Sequence, residues 1–282
     1  MRRGVVTPYL LIAPATAFLG VLFAVPLAQT VALAFRANGS FSFGNFSRMA
    51  GDLNFSDAVT NTFEVVLLAV PLQLVLALGM AVMLRHVRHG RDIVLWIWSI
   101  PLGISDLAAG LVWLAILNDR GYLNTLLFHF GIIDAPRSWL TYETPTALLI
   151  AIVVAELWRA TAIVLVIVAA GVQLVPKEYG EAAEVFGATP WQRFVRITLP
   201  LLRPSIQTAL ILRTVLAFEM FATVMTLGGR NFPVLMSEAF NWQYFQQDYG
   251  VAAAYAVVVM AVSLAATLVY LRVLRTPAAQ LP

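Results

Sequence analysis

Cysteine does not occur among the 282 residues, which excludes disulfides, thiol nucleophiles and cysteine-ligated metals. Charge is scarce as well. Asp, Glu, Lys and Arg together make up 12% of the chain, about half of what an ordinary soluble domain carries. So few charged side chains cannot cover a water-facing surface. The three histidines, His86, His89 and His129, form no ligand cluster, and no nucleophile–base pair or metal constellation is visible, so no catalytic or metal-binding role is expected. No Gly-x-x-x-x-Gly-Lys-Ser/Thr run is present, so the chain has no loop of the type that cradles nucleotide phosphates.

What fills the chain instead is apolar. Hydrophobic residues reach 60% and the mean hydropathy is +0.82. They fall into six runs, at about 9–35, 58–84, 93–117, 145–172, 201–227 and 251–274. A hydrocarbon core about 30 Å thick needs roughly 20 residues of helix, and in lipid each segment must close its own backbone hydrogen bonds. The expectation is an all-α polytopic membrane protein, one transmembrane domain over residues 1–282 with six helices and lipid around it. The basic start and Ala15-Thr16-Ala17 resemble a signal peptide, but the apolar run continues to Phe35. An uncleaved first helix is therefore expected.

The net charge of +3 is best read through its placement. Arg2, Arg3, Arg85, Arg88, Arg91, Lys177, Arg193, Arg196, Arg203, Arg272 and Arg275 fall in one alternating set of connections and outnumber the other set, Arg36, Arg48, Arg120, Arg137 and Arg230, more than two to one. The positive-inside bias then puts both termini in the cytoplasm, and the charge marks orientation rather than nucleic-acid binding.

The cytoplasmic connection at about 173–200 is patterned. Pro176 suits a helix start, and Glu178, Glu181 and Glu184 favour its positive end. Ala182 and Ala183 are strong helix formers, and Gly187 is a natural stop. A second short helix, about 190–199, puts Trp191, Phe194, Val195 and Thr198 on one side, with Arg193 and Arg196 off it. From these residues alone the loop is either an amphipathic segment lying on the bilayer or a docking element.

The spacing Glu181-Ala182-Ala183, three residues, Gly187, nine residues, Ile197, one residue, Leu199-Pro200 resembles the EAA loop of binding-protein-dependent ABC transporter permeases. Pro101, Trp113, Gly121 and Asn124, and Thr226-Leu227-Gly228-Gly229, resemble the sugar-type members, and within those the first of the two permeases that such systems pair. The resemblance implies the type I importer permease fold and a short coupling helix, carried on Glu181, Ala182, Ala183, Gly187, Ile197, Leu199 and Pro200, that seats in a cleft of a separate ATPase. It implies partners too: a second similar permease, two ATPase subunits holding ATP and Mg, and an extracytoplasmic solute-binding protein. The implied location is a bacterial cytoplasmic (inner) membrane, and this chain would bind no cofactor itself. Two positions depart from the pattern. Phe186 stands where an Asp usually precedes the glycine, and Arg230 stands where a Pro usually follows the double glycine.

Six ionisable residues fall within the apolar runs: Glu64, Asp106, Glu156, Arg159, Arg213 and Glu219. Each is costly in hydrocarbon and should face protein or water. Glu156 and Arg159 are three apart on one helix and can pair, and Asp106 comes to a depth from which it reaches either arginine. Such groups either fix helix packing or line a polar pathway for a hydroxyl-rich solute. Glu219 lacks a local partner and is the leading pathway candidate, with Phe218, Phe221 and Trp158 as rings on which a sugar can stack. Asn241, Trp242 and Tyr244 in the last outer connection either meet a binding protein or form an interfacial belt. The alternative function is an ion- or proton-coupled secondary carrier using the buried carboxylates. The lack of an internal repeat argues against many of these.

Overall fold

A computed structural model describes residues 3–37, 39–87 and 89–274, with side chains from Leu11 onward and His86 excepted. Arg2, Arg88 and Arg275 of the basic set, and the side chain of Arg3, lie outside the described residues. The chain divides into two compact units, one of Met1–Ser56 with Leu235–Met260, the other of Asp57–Val234 with Ala261–Pro282.

The first unit opens with α1 (Arg3–Leu19), a π-helical turn at Gly20–Ala24 and α2 (Val25–Ala34). A two-stranded hairpin follows, β1 (Arg36–Ala37) against β2 (Ser40–Phe41), and then α3 (Gly44–Ala50). Buried Asn45 closes the end of α2, its Nδ2 donating to the carbonyls of Leu33, Ala34 and Arg36 at 3.1, 3.1 and 2.9 Å. Phe35, Phe41, Phe43 and Phe46 cluster around it, with Phe35 and Phe41 stacked at 5.6 Å. The unit also holds α14 (Leu235–Tyr244) and the first half of α15 (Tyr249–Val273). Asp52 accepts from Trp242 Nε1 at 2.7 Å and from the Tyr255 hydroxyl at 2.9 Å, Asn241 donates to Glu238 at 3.2 Å, and Tyr244 is exposed.

The second unit is built on α4 (Phe55–His86) and α8 (Pro145–Leu174). Between them run α5 (Arg91–Ser99), a 3-10 turn at Ile100–Gly103, α6 (Asp106–Leu117) and α7 (Tyr122–His129). After α8 come α9 (Lys177–Val185), α10 (Pro190–Arg193), a π-helical turn at Phe194–Thr198, α11 (Leu199–Leu201), α12 (Arg203–Phe218) and α13 (Ala222–Leu227). Small and branched residues knit α4, α8 and α12 into one core: Ala77 and Ala81, then Val164, Leu165, Val168 and Val172, then Leu202, Ile206 and Ala209. Asn124 staples the connection after α6. It donates to the carbonyls of Asp119 and Arg137 at 3.0 and 2.8 Å and accepts from Trp139 Nε1 at 3.0 Å.

Four described helices are long and apolar enough to cross a bilayer, and six segments are if each of two bent pairs counts as one span. The third and fifth apolar runs, each expected as one helix, are broken. The third bends by 98° between Arg91–Gly103 and Asp106–His129. Pro101 sits in the 3-10 turn, Ile104 is extended, and Ser105 caps α6 by accepting from Ala108 N at 3.2 Å. The fifth meets the expected short helix before it at a bend of 68°, between Pro190–Leu201 and Arg203–Phe218. It is interrupted again after Phe218, where Glu219 ends α12 and Phe221 takes φ −143°, ψ −62° before α13.

Candidate functional site

The halves that follow the two interruptions, α6 and α13, pack on each other. Gly110 makes this possible, because a Cβ there would lie 1.8 Å from Thr226 Oγ1 and 3.3 Å from Thr223 Cα. Thr223 Oγ1 also donates to the carbonyl of Asp106 at 3.3 Å. Asp106 is the first residue of α6, at the positive end of that helix, and from there it reaches Arg159, one of the two arginines expected.

Four of the six intramembrane charges meet around α8. Arg213 on α12 donates from Nη2 to Glu156 Oε2 at 2.6 Å, with side chains 1% and 2% exposed. Arg159 Nη1 lies 2.7 Å from Asp106 Oδ1, and Arg159 Nη2 lies 3.7 Å from Glu156 Oε1. The four formal charges cancel, and the burial of Glu156 and Arg213 demands such pairing. The two ends differ: the Asp106 side chain is 50% exposed, whereas Glu156 and Arg213 are sealed.

Sequence reasoning missed the fifth member, Gln73 of α4. Its Oε1 accepts from Arg213 Nε at 2.6 Å and its Nε2 donates to the backbone carbonyl of Glu156 at 2.8 Å. A neutral amide adds nothing to a charge count. The signal available was a polar residue two positions after Pro71 in an otherwise apolar run. Among the described residues Arg213 Nη1 and Arg159 Nε have no hydrogen-bond partner.

The remaining pathway candidates separate by exposure. Glu219 is exposed at the second interruption, without an ion pair or side-chain hydrogen bond among the described residues. Phe221 is partly buried beside it. Phe218 is 3% exposed and packs edge-on to Phe63 at 5.5 Å, and Trp158 packs edge-on to Trp113 at 6.2 Å. Glu64 is exposed on α4.

The loop after α8 forms a second candidate site. Helix α9 ends in a complete Schellman motif: Gly187 N donates to Glu184 O and Ala188 N to Ala183 O, each at 2.9 Å, with Gly187 at φ +80°. Thr189 opens α10 through a capping box, its N–H donating to Gln192 Oε1 at 2.9 Å while its hydroxyl accepts from Gln192 N at 3.3 Å. Glu184 pairs with Arg193 at 2.5 Å and ties the two helices together. The result is a fixed turn that leaves Glu181 and Ala182 exposed, with Val185 85% and Phe186 90% exposed. Ile197, Leu199 and Pro200 are partly buried where the loop returns toward α12.

The family described as binding-protein-dependent transport system inner membrane component matches residues 73–276, a range that holds both the charged cluster and this loop. The trehalose/maltose transport system permease protein MalF of Thermococcus litoralis is 31% identical, over 94% of this chain and 92% of its own. The sulfoquinovosyl glycerol transport system permease protein SmoG of Agrobacterium fabrum is also 31% identical, over 95% and 90%. A solved bacterial alginate ABC transporter, in complex with alginate pentasaccharide-bound periplasmic protein, has a chain with TM-score 0.80 and 21% identity, covering 95% of this chain and 94% of that one. At that identity the likeness is one of fold.

Proposed function

This chain belongs to the binding-protein-dependent transport system inner membrane component family, and from that premise we propose that it is the permease subunit of an ABC importer for a sugar or sugar-like solute. Its place is a bacterial cytoplasmic (inner) membrane, with both termini inside. A second permease and an extracytoplasmic binding protein complete the path, and two ATPase subunits supply ATP and Mg. The chain itself is non-catalytic. The relatives' names, trehalose/maltose and sulfoquinovosyl glycerol, support a carbohydrate-like solute, and the periplasmic partner of the alginate transporter supports a binding protein.

The observation that carries the reading is the loop at about 173–200. A helix closed by a Schellman motif, braced by the Glu184–Arg193 pair and showing Val185 and Phe186 to solvent is a knob without a socket among the described residues. Exposed apolar residues of this size on a fixed turn mark a docking surface. Closure of the ATPases on nucleotide would pull on this knob. The pull would then pass through α12 to the interruption at Glu219 and to α13 against α6, giving alternating access.

The test is co-purification with the ATPase subunits. Glu181→Lys, and Gly187→Val at the positive φ, are expected to release the ATPase and abolish uptake. Uptake that persists without any ATPase and collapses with the proton gradient would assign the chain to proton-coupled carriers instead.

A further inference from the structure

Behind the docking knob, three cations from three separate elements converge. Arg85 from the end of α4, Lys177 from the first turn of α9 and Arg193 from α10 line one pocket of about 340 Å³, with Val82 and Phe194 as apolar wall and Glu181 as the one carboxylate in the described lining. Arg193 is held by Glu184, and Arg85 Nη2 donates to the carbonyl of Val175 at 3.3 Å. Lys177 has no ion pair among the described residues, and it stands at the positive end of α9, where a cation is electrostatically disfavoured. Glu184 offsets Arg193 and Glu181 offsets part of the rest, which leaves a residual positive charge that a bound anion would balance.

The depth of the pocket says what that anion is. Arg85 is the first charged residue after the apolar run of α4, the kind of position at which basic side chains meet lipid headgroups. We propose that the pocket binds the phosphate of an anionic phospholipid headgroup, with the acyl chains leaving past Val82 and Phe194. Basic pockets between membrane helices on the cytoplasmic side suit such headgroups. Val185 and Phe186 are absent from the lining but Glu181 is in it, so the lipid pocket adjoins the ATPase-docking surface along α9 and shares Glu181 with it. The bound phosphate braces the coupling loop against α4.

Native mass spectrometry of the full chain tests this by counting retained lipid, with phosphatidylglycerol, phosphatidylcholine and inorganic phosphate as separate probes. Phosphatidylglycerol is expected to be retained over phosphatidylcholine. Retention should weaken about fivefold for Lys177→Gln and further for Arg85→Gln/Lys177→Gln. Arg230→Gln, an exposed arginine outside the pocket, should leave it unchanged. Equal retention of the two lipids, or an unaltered double variant, overturns the proposal. Displacement of phosphatidylglycerol by millimolar inorganic phosphate overturns the lipid assignment in favour of a free anion. If the double variant loses helicity by circular dichroism, Lys177→Gln alone decides, because Lys177 is exposed. The measurement involves no ATPase, so its failure leaves the importer reading standing.

Discussion

The guanidinium of Arg213 and the carboxylate of Glu156 lie 2.6 Å apart with almost no exposure of either side chain. Such a pair gains little over well-packed apolar residues, yet either partner alone is expensive. Glu156→Ala is expected to cost about 3–5 kcal/mol, measured as thermal unfolding in detergent. The double variant Glu156→Leu/Arg213→Met should recover most of the loss. A single variant as stable as the parent would mean that Arg213 finds another partner.

The outer pair behaves differently. Asp106→Asn weakens the contact with Arg159 at a site that solvent reaches, so the stability cost should be about 1 kcal/mol or less. Uptake should fall more than stability, because the contact ties α8 to the bend of the third span. Equal uptake by the variant and the parent would make Asp106 a packing residue only.

Gly110 tests the seam between α6 and α13. Gly110→Ala forces Thr226 aside and should cost about 1–3 kcal/mol as overpacking does. Thr226→Ala in the same chain should restore part of it. Full stability of the single variant would show that the seam opens freely.

These predictions rest unevenly on what the residues announce. The apolar runs were legible because hydropathy sums over a window about as long as a span, and the α9 stop was legible because Gly187 is the residue a left-handed cap requires. The pairing of Glu156 with Arg159 followed from spacing, but the shorter contact from Glu156 is to Arg213, a residue on another helix that no local spacing reveals. Window averaging hid the bend at Ile104–Ser105, although Pro101, Gly103 and a capping serine stood there to be read. The interruption at Glu219 carries no such marker. Glycine and proline are absent from Phe218–Phe221, and what the structure adds is the packing of α13 on α6 beyond the break.

Glu219 offers the direct test of the pathway. Glu219→Ala is expected to impair solute uptake while assembly and basal ATP hydrolysis stay as in the parent, since its carboxylate supports no contact among the described residues. Undiminished uptake would remove it from the pathway.

Gly187 separates strain from collision. A Cβ there meets nothing within 4 Å, but φ is +80°. Gly187→Ala should therefore cost about 1–2 kcal/mol through backbone conformation alone. The readout is a weakened grip on the ATPase with global unfolding little changed, since α9 is a surface element.

Gln73 has a consequence for how the helices can move. One face of its amide accepts from Arg213 and the other donates to the main chain at Glu156, so both ends are committed and the amide cannot be turned over. A slide of α4 past α8 and α12 by a full turn, about 5.4 Å, would break both bonds at once. Tilting about the amide stretches them far less. While the contact holds, α4 and α8 pass each other by less than a helical turn at this level.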